Sequence, residues 1–192
     1  MSSTKQFTAF AGCRQLASGP LETVLPLVRQ WLDAGNPDMP LVFDDATGTQ
    51  VDFDLRGSPA EILARLPEHP YLTATASEPA RPAGPGRPRL GVVSREVSLL
   101  PRHWSWLERQ PQGISAGLRR LVEDEIRRDP EGERARQARD AVGKIMWALA
   151  GSLPDFEEAS RALYAGQVER FATLIQPWPE SLRHYLLRLL RS

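Results

Sequence analysis

The sequence predicts an α+β fold, in which a small N-terminal unit of strands and helices is joined by a linker to a strand and a mainly helical C-terminal unit. Three observations predict this fold. Short apolar runs alternate with polar residues near the N-terminus, as in strands with one buried face. A stretch rich in proline, glycine and alanine follows and has no apolar period. In the last third of the chain, apolar residues recur at steps of three and four, which is typical of amphipathic helices.

The N-terminal unit is expected to span residues 1–68 and to begin with two short strands. Their apolar runs lie at residues 7–11 and 15–18. An amphipathic helix is expected to begin after Pro20, because apolar residues then recur with a helical period. Gly35 is expected to end this helix, since glycine readily adopts the left-handed conformation of a helix end.

A hairpin, a capped helix and a linker are expected next. Apolar and polar residues alternate over 41–43 and 51–55 on either side of Thr47-Gly48, which predicts two strands joined by a turn. The segment Ser58–Glu61 has the pattern of a capping box with proline at the first helical position, so a helix is expected to begin there. Residues 69–88 are expected to form a linker of about twenty residues.

The second unit, residues 89–192, is expected to begin with a strand over 92–99, where apolar residues occupy alternate positions. Pro101 suits the first turn of a helix that follows. After the break at residues 111–113, the hydroxyl of Ser115 is expected to cap a second helix. The inner face of that helix is expected to carry Ile114, Leu118, Leu121 and Val122. Because an isolated strand leaves its edges unpaired, we expect the strand to pair with its twin in a homodimer.

The remainder of the second unit, residues 134–191, is expected to be a helical tail. Apolar residues at helical spacing predict a long first helix. Proline followed by acidic residues then predicts a helix start, since the helix dipole favours acidic side chains in the first turn. Four helices are expected in the tail, beginning near residues 134, 154, 168 and 180.

Several segments spread over nearly the whole chain are similar to those of one bacterial family. These segments are TAFAG, ASGPL, LVFDDATG, VDFDLRGS, LGVVSREVSLLPRHW and LPDFEEASRALYAG. In them the chain resembles the uncharacterised bacterial family known as domain of unknown function 2239. The resemblance implies a bacterial protein with one architecture over its whole length, and it brings no activity, cofactor or catalytic residue with it.

Residues 92–128 are also similar to the ribbon-helix-helix DNA-binding unit. In that unit two copies pair their strands, and the paired strands lie in the major groove of DNA. The similarity implies that arginines and the start of the second helix contact phosphates, since a helix N-terminus attracts anions. The candidate DNA-binding residues are Arg87, Arg89, Arg95, Ser98, Arg102 and Ser115.

The charge distribution supports two hypotheses about function. The chain holds 24 basic and 24 acidic residues, so no overall field attracts nucleic acid or an anionic membrane. Residues 81–128 alone hold 10 basic and 5 acidic residues, which favours a DNA-binding dimer. Glu96 is expected on the outward face of the strand, where its carboxylate would repel phosphate. The alternative is a protein-interaction or structural module without enzymatic activity.

No residue pattern predicts an enzyme, a metal site, a cofactor or a small-molecule substrate. Four aspartates, Asp44, Asp45, Asp52 and Asp54, crowd the expected hairpin but lack the spacing of a calcium loop, so a solvated face is expected for them. The histidines lie apart from one another and from the cysteine, so their spacing indicates neither a zinc site nor a catalytic triad. The single cysteine, Cys13, excludes an internal disulfide and suits a small packing residue.

The sequence also predicts a cytoplasmic protein without membrane segments. Its N-terminus has no basic stretch followed by an apolar one, as a signal peptide would have. Nowhere do about eighteen apolar residues follow one another, as a membrane-spanning helix requires. A single cysteine is compatible with a reducing compartment.

Overall fold

A computed structural model describes residues 5–76 and 96–191 of the chain. The chain forms two compact units. The first unit consists of Met1–Thr73 and Arg134–Ser192, and the second of Ala74–Glu133. The helical tail therefore belongs with the N-terminal strands, whereas the sequence grouped it with the central stretch. The fold is α+β, as predicted: a small antiparallel sheet and a helix are followed by mainly helical chain.

Residues 5–76 hold three strands and three helices. They are β1 (Phe7–Ala11), β2 (Arg14–Gly19), α1 (Leu21–Asp33), β3 (Pro40–Asp44), α2 (Pro59–Ala64) and α3 (Pro70–Ala76), with one 3-10 turn at Leu66–Glu68. Residues 96–191 hold six more helices: α4 (Pro101–Glu108), α5 (Ile114–Arg128), α6 (Pro130–Leu149), α7 (Phe156–Tyr164), α8 (Val168–Leu174) and α9 (Glu180–Leu189). None of the helices in the described residues is both long enough and apolar enough to cross a membrane.

The sheet of the first unit has the strand order β2-β1-β3, and both pairs are antiparallel. Because side chains of a strand point alternately to the two faces, β1 supplies two cores. Phe7 and Ala9 pack with Val42 and the buried face of α1 on one side. Phe10 packs with Phe43 and the helices of the tail on the other side. This second core explains why the tail shares a unit with the sheet.

Several predicted boundaries are confirmed. Helix α1 ends just before Gly35, whose φ is +71°. The capping box at the start of α2 is present, since the Ser58 hydroxyl accepts from the Glu61 backbone and the Glu61 carboxylate accepts from the Ser58 backbone. In the tail, α7, α8 and α9 begin within two residues of the expected positions. Helix α6 begins four residues early, at Pro130, because the Asp129 carboxylate accepts a hydrogen bond of 2.8 Å from the Gly132 backbone.

The predicted hairpin is partly wrong, and part of the predicted linker is helical. The chain after Gly48 forms one bridge, Phe43 to Gln50, and the Val51 N–H still donates to the Val42 carbonyl at 2.8 Å, but residues 52–55 then leave the sheet. They leave it because Val51 and Phe53 turn into the core beside α1. Residues 70–76, expected to be linker, form α3 instead. This helix has a surface to pack on, since Tyr71 and Leu72 lie against the same core. Residues 77–88 of the predicted linker lie outside the described residues.

The central stretch also differs from the prediction. Residues 96–100 belong to no helix or strand, and the rest of the predicted strand 92–99 lies outside the described residues. Val97, expected to face inward, is 56% exposed. Helix α5 begins at Ile114 after Gly113, whose positive φ of +78° lets the preceding turn end there. Ser115 is therefore the second residue of α5 and not its cap.

Candidate functional site

The candidate DNA-binding residues do not form one site in the described part of the chain. Arg87, Arg89 and Arg95 lie outside the described residues. Ser98 is exposed in the irregular segment before α4, and Arg102 is exposed in the first turn of α4, where its Nε donates to His103 Nε2 at 3.3 Å. Ser115 is exposed near the start of α5. Among the described residues, no hydrogen bond or ion pair joins the last three side chains.

The start of α5 borders an open groove with mixed charge. Its lining includes Ser115 and Ile114 from α5, Glu108 from the end of α4, and Arg119 one turn into α5. A phosphate would meet the Glu108 carboxylate in this groove as well as the Arg119 guanidinium. Opposite charges on its walls offset each other, so the groove lacks the positive potential that anion binding at a helix N-terminus needs.

The far half of α5 exposes apolar side chains. Leu121, Val122 and Ile126 are 45%, 57% and 56% exposed. Leu121 and Val122 were expected on the buried side of this helix. They are exposed because α4 packs against the first half of α5, near Gly117, where an added Cβ would lie 3.5 Å from a methyl group of Leu107. We refer to Leu118, Leu121, Val122 and Ile126 as the α5 face.

In the first unit, the turn after β3 is tied to α9 by a polar network. Asp45 Oδ1 accepts a hydrogen bond of 2.9 Å from the Tyr185 hydroxyl, and Asp45 Oδ2 lies 3.0 Å from Arg188 Nη2. The network continues into the sheet, since Arg188 Nη2 also lies 3.5 Å from the Ser18 hydroxyl, which is 2.9 Å from the Thr8 hydroxyl. The Asp45 side chain is only 8% exposed and Tyr185 only 1%. The expectation of a solvated face is therefore wrong for Asp45.

The expectation is also wrong for Asp44, whose side chain is 2% exposed. Its Oδ1 accepts a hydrogen bond of 2.9 Å from the backbone N–H of Ala46, which fixes the turn. Its Oδ2 accepts from the Tyr71 hydroxyl of α3, also at 2.9 Å, and lies 3.8 Å from Lys5 Nζ. Burial of a charged carboxylate is tolerated because donors surround both oxygens.

The other two aspartates of this region lie apart from that turn. Asp54 pairs with Arg56 and Arg65 on the surface, and the hydrogen bonds from Arg56 hold the pKa of Asp54 well below its usual range. Asp52 accepts from the Gln50 side chain at 3.1 Å. Among the described residues, no group of three or more histidines, cysteines and acidic residues could hold a metal ion. The turn after β3 thus forms a structural clamp, in which the buried side chains of Asp44 and Asp45 hydrogen-bond to Tyr71 and Tyr185.

The clamp predicts a specific dependence of stability on alkaline pH. Burial raises the pKa of Tyr185 well above its ordinary value of 10.0, and the nearby Asp45 carboxylate adds to the rise. The unfolded chain releases this proton near pH 10 while the folded chain keeps it, so the stability is complete below pH 10 and is lost as the pH rises above it. Tyr185→Phe removes the titrating group. Urea denaturation from about pH 9 to about pH 11 should therefore show a smaller loss of unfolding free energy in this variant than in the wild type. Equal losses would contradict the assignment.

Comparison with protein families matches residues 6–190 to a family model described as an uncharacterized protein conserved in bacteria. The match covers the sheet, the α4–α5 pair and the helical tail alike. Comparisons with curated proteins and with solved structures found no match. The ribbon-helix-helix similarity of residues 92–128 has no counterpart in these comparisons. The chain belongs to the bacterial family domain of unknown function 2239.

Proposed function

We propose that this protein is a protein-interaction module without enzymatic activity, and that it binds its partner through the α5 face. The observation that carries the proposal is the exposure of Leu121, Val122 and Ile126 together on one helix. Contiguous apolar side chains on a soluble surface mark interaction sites more often than single exposed residues do. The two buried aspartates, Asp44 and Asp45, already accept hydrogen bonds from donors within the fold.

Charged residues border the α5 face, as they border the apolar centre of many interfaces. Arg119 and Glu123 lie along one edge of it and Glu125 along the other. Arg120 and Asp124 lie on the opposite side of the helix, and Arg127 and Arg128 follow the face. Glu123 and Glu125 already pair with Arg127 and Arg128 along the helix. A rim of this kind contributes to the choice of partner more than to affinity.

The proposal is tested by capture of proteins from a lysate of the native bacterium on immobilised full-length chain. The variant Val122→Glu/Ile126→Glu places two charges in the α5 face, and Arg120→Glu changes an exposed charge on the other side of the same helix. Proteins bound specifically, including an untagged copy of the chain, should be retained by the wild type and Arg120→Glu and reduced at least about tenfold by the face variant. Identical captured sets for all three proteins would overturn the proposal. Circular dichroism establishes that each variant is folded.

A DNA-binding dimer of ribbon-helix-helix type is the second candidate. The observation that favours it is the exposure of arginines in and beside α4 and α5, among them Arg102, Arg119 and Arg120. Two observations weigh against this hypothesis in the form that the sequence predicts: Ser115 does not cap α5, and Glu96 is exposed beside Ser98.

Fluorescence anisotropy with mixed-sequence duplex DNA separates the two candidates. If DNA is the ligand, wild type should bind more tightly than Arg87→Ala/Arg89→Ala/Arg102→Ala, and the gap should close as salt rises. Each lost phosphate contact should lower the slope of log K against log salt by about 0.9. The protein-interaction proposal predicts no binding at low salt, or equal weak binding by both proteins.

A further inference from the structure

We infer that the α5 face binds the same face of a second copy of this chain, with the two α5 helices antiparallel and Val122 on the two-fold axis. The inference rests on the proposed function and adds the identity of the partner. It differs from the strand pairing expected from the sequence, because it uses α5 and leaves the segment before α4 out of the interface.

The positions of the side chains around α5 define the face. An α-helix turns about 100° per residue, so Leu118, Val122 and Ile126 lie in one row on successive turns. Leu121 lies along one edge of this row and Arg119 along the other. The contact with α4 is made on a different side, near Gly117, and leaves the row uncovered at Val122 and Ile126.

Antiparallel pairing about Val122 brings apolar residues next to the same residues of the partner chain. Val122 faces the partner's Val122 at the axis. Leu121 precedes the axis by one position, so it lies about 3 Å along the helix from the partner's Leu121 on the same edge. Leu121 and Val122 are about half exposed in the single chain, so both gain burial in this arrangement.

The charges favour this direction of pairing and a second copy as the partner. On the edge opposite Leu121, antiparallel pairing places Arg119 within about 3 Å along the helix of the partner's Glu123. Arg119 makes no ion pair within the described part of the chain. In a parallel two-fold pair the two edges exchange, so Arg119 would lie against the edge of the partner that carries Leu121 and would meet no acidic side chain at its own level. The proximity of Arg119 to the partner's Glu123 therefore favours the antiparallel direction with the axis at Val122.

Cysteine cross-linking of the full chain tests the inference. In a Cys13→Ser background, Val122→Cys should form a covalent dimer under mild oxidation, because two helices in contact at a two-fold axis bring this position to within disulfide distance of itself. Leu121→Cys should link more slowly. Asp124→Cys, exposed on the other side of α5, is the matched control and should remain monomeric. Equal linking at 122 and 124, or none at 122 in a folded protein, would overturn the inference.

The same variants distinguish failure of this inference from failure of the proposed function. If Val122→Cys does not link but Val122→Glu/Ile126→Glu still loses a captured protein other than the chain itself, the face binds a different partner and the inference is wrong. If cross-linking and face-dependent capture are both absent, the proposed function is wrong as well.

Reversing the charges tests the direction of pairing. Arg119→Glu and Glu123→Arg should each weaken dimerisation, and the double variant should restore it.

Discussion

Gly48→Ala is expected to lower the free energy of unfolding by roughly 3–4 kcal/mol. Gly48 has a φ of +65°, and a Cβ at this position would lie 2.2 Å from the carbonyl oxygen of Ala141 and 2.6 Å from its Cα. The side chain would therefore push the turn away from the backbone of α6, which cannot yield without moving the whole helix. Lys144 of the same helix donates to the Thr47 carbonyl at 3.0 Å, so that hydrogen bond should be lost as well.

Gly35→Ala is the matched control for this substitution. Gly35 has nearly the same φ, +71°, but nothing lies within 4 Å of an added Cβ. Gly35→Ala should therefore lower the free energy of unfolding by only about 1 kcal/mol, which is the cost of the left-handed backbone. Urea denaturation of both variants measures the difference, which isolates the cost of the close approach. Equal destabilisation by the two substitutions would contradict the contact between the turn and α6.

Asp45→Ala is expected to cost roughly 2–3 kcal/mol of unfolding free energy. The substitution leaves the Tyr185 hydroxyl buried without its acceptor and removes the carboxylate that faces Arg188. Tyr185→Phe should cost less, about 1 kcal/mol, because it removes the buried donor together with its need for a partner. The double variant should lose less unfolding free energy than the sum of the two single losses, since both substitutions break the same hydrogen bond.

Asp33→Ala is the control for the aspartate substitution. Asp33 forms an exposed ion pair with Arg29 one turn away on α1, and such pairs contribute about 0.5 kcal/mol or less. Chemical denaturation of Asp45→Ala, Tyr185→Phe, the double variant and Asp33→Ala measures these changes in unfolding free energy. Strict additivity of the Asp45 and Tyr185 substitutions, or an Asp45→Ala effect no larger than that of Asp33→Ala, would show that the clamp does not tie the turn to α9.

The elements that the sequence predicts well are those with local signals. The capping box at Ser58 and the glycine after α1 specify helix ends through contacts within a few residues, so the pattern alone suffices. The tail helices are similarly marked by apolar periodicity and, for α6, α7 and α9, by proline at or near their starts. The hairpin after Gly48 was not predictable from alternation, because Val51 and Phe53 alternate equally well in a strand and in an extended segment that covers a core.

The candidate sites depend on long-range contacts and were predicted less well. Asp45 meets Tyr185 across about 140 positions of sequence, and no local pattern indicates that a carboxylate in an acidic turn will be buried there. A signal did exist for Asp44, since an aspartate directly before a turn often accepts from the backbone two residues later. For α5, periodicity identified the apolar residues but could not show that α4 covers only the first half of the helix.

The measurement that tests the central claim most directly is the mass of the full-length chain in solution, by size-exclusion chromatography with light scattering from about 1 to about 200 μM, the range in which small interfaces associate. Wild type and Arg120→Glu should approach twice the mass of one chain as concentration rises. Val122→Glu/Ile126→Glu should keep the mass of one chain throughout. A wild-type monomer at the highest concentration, or a dimer that the face variant leaves intact, would contradict self-association through the α5 face.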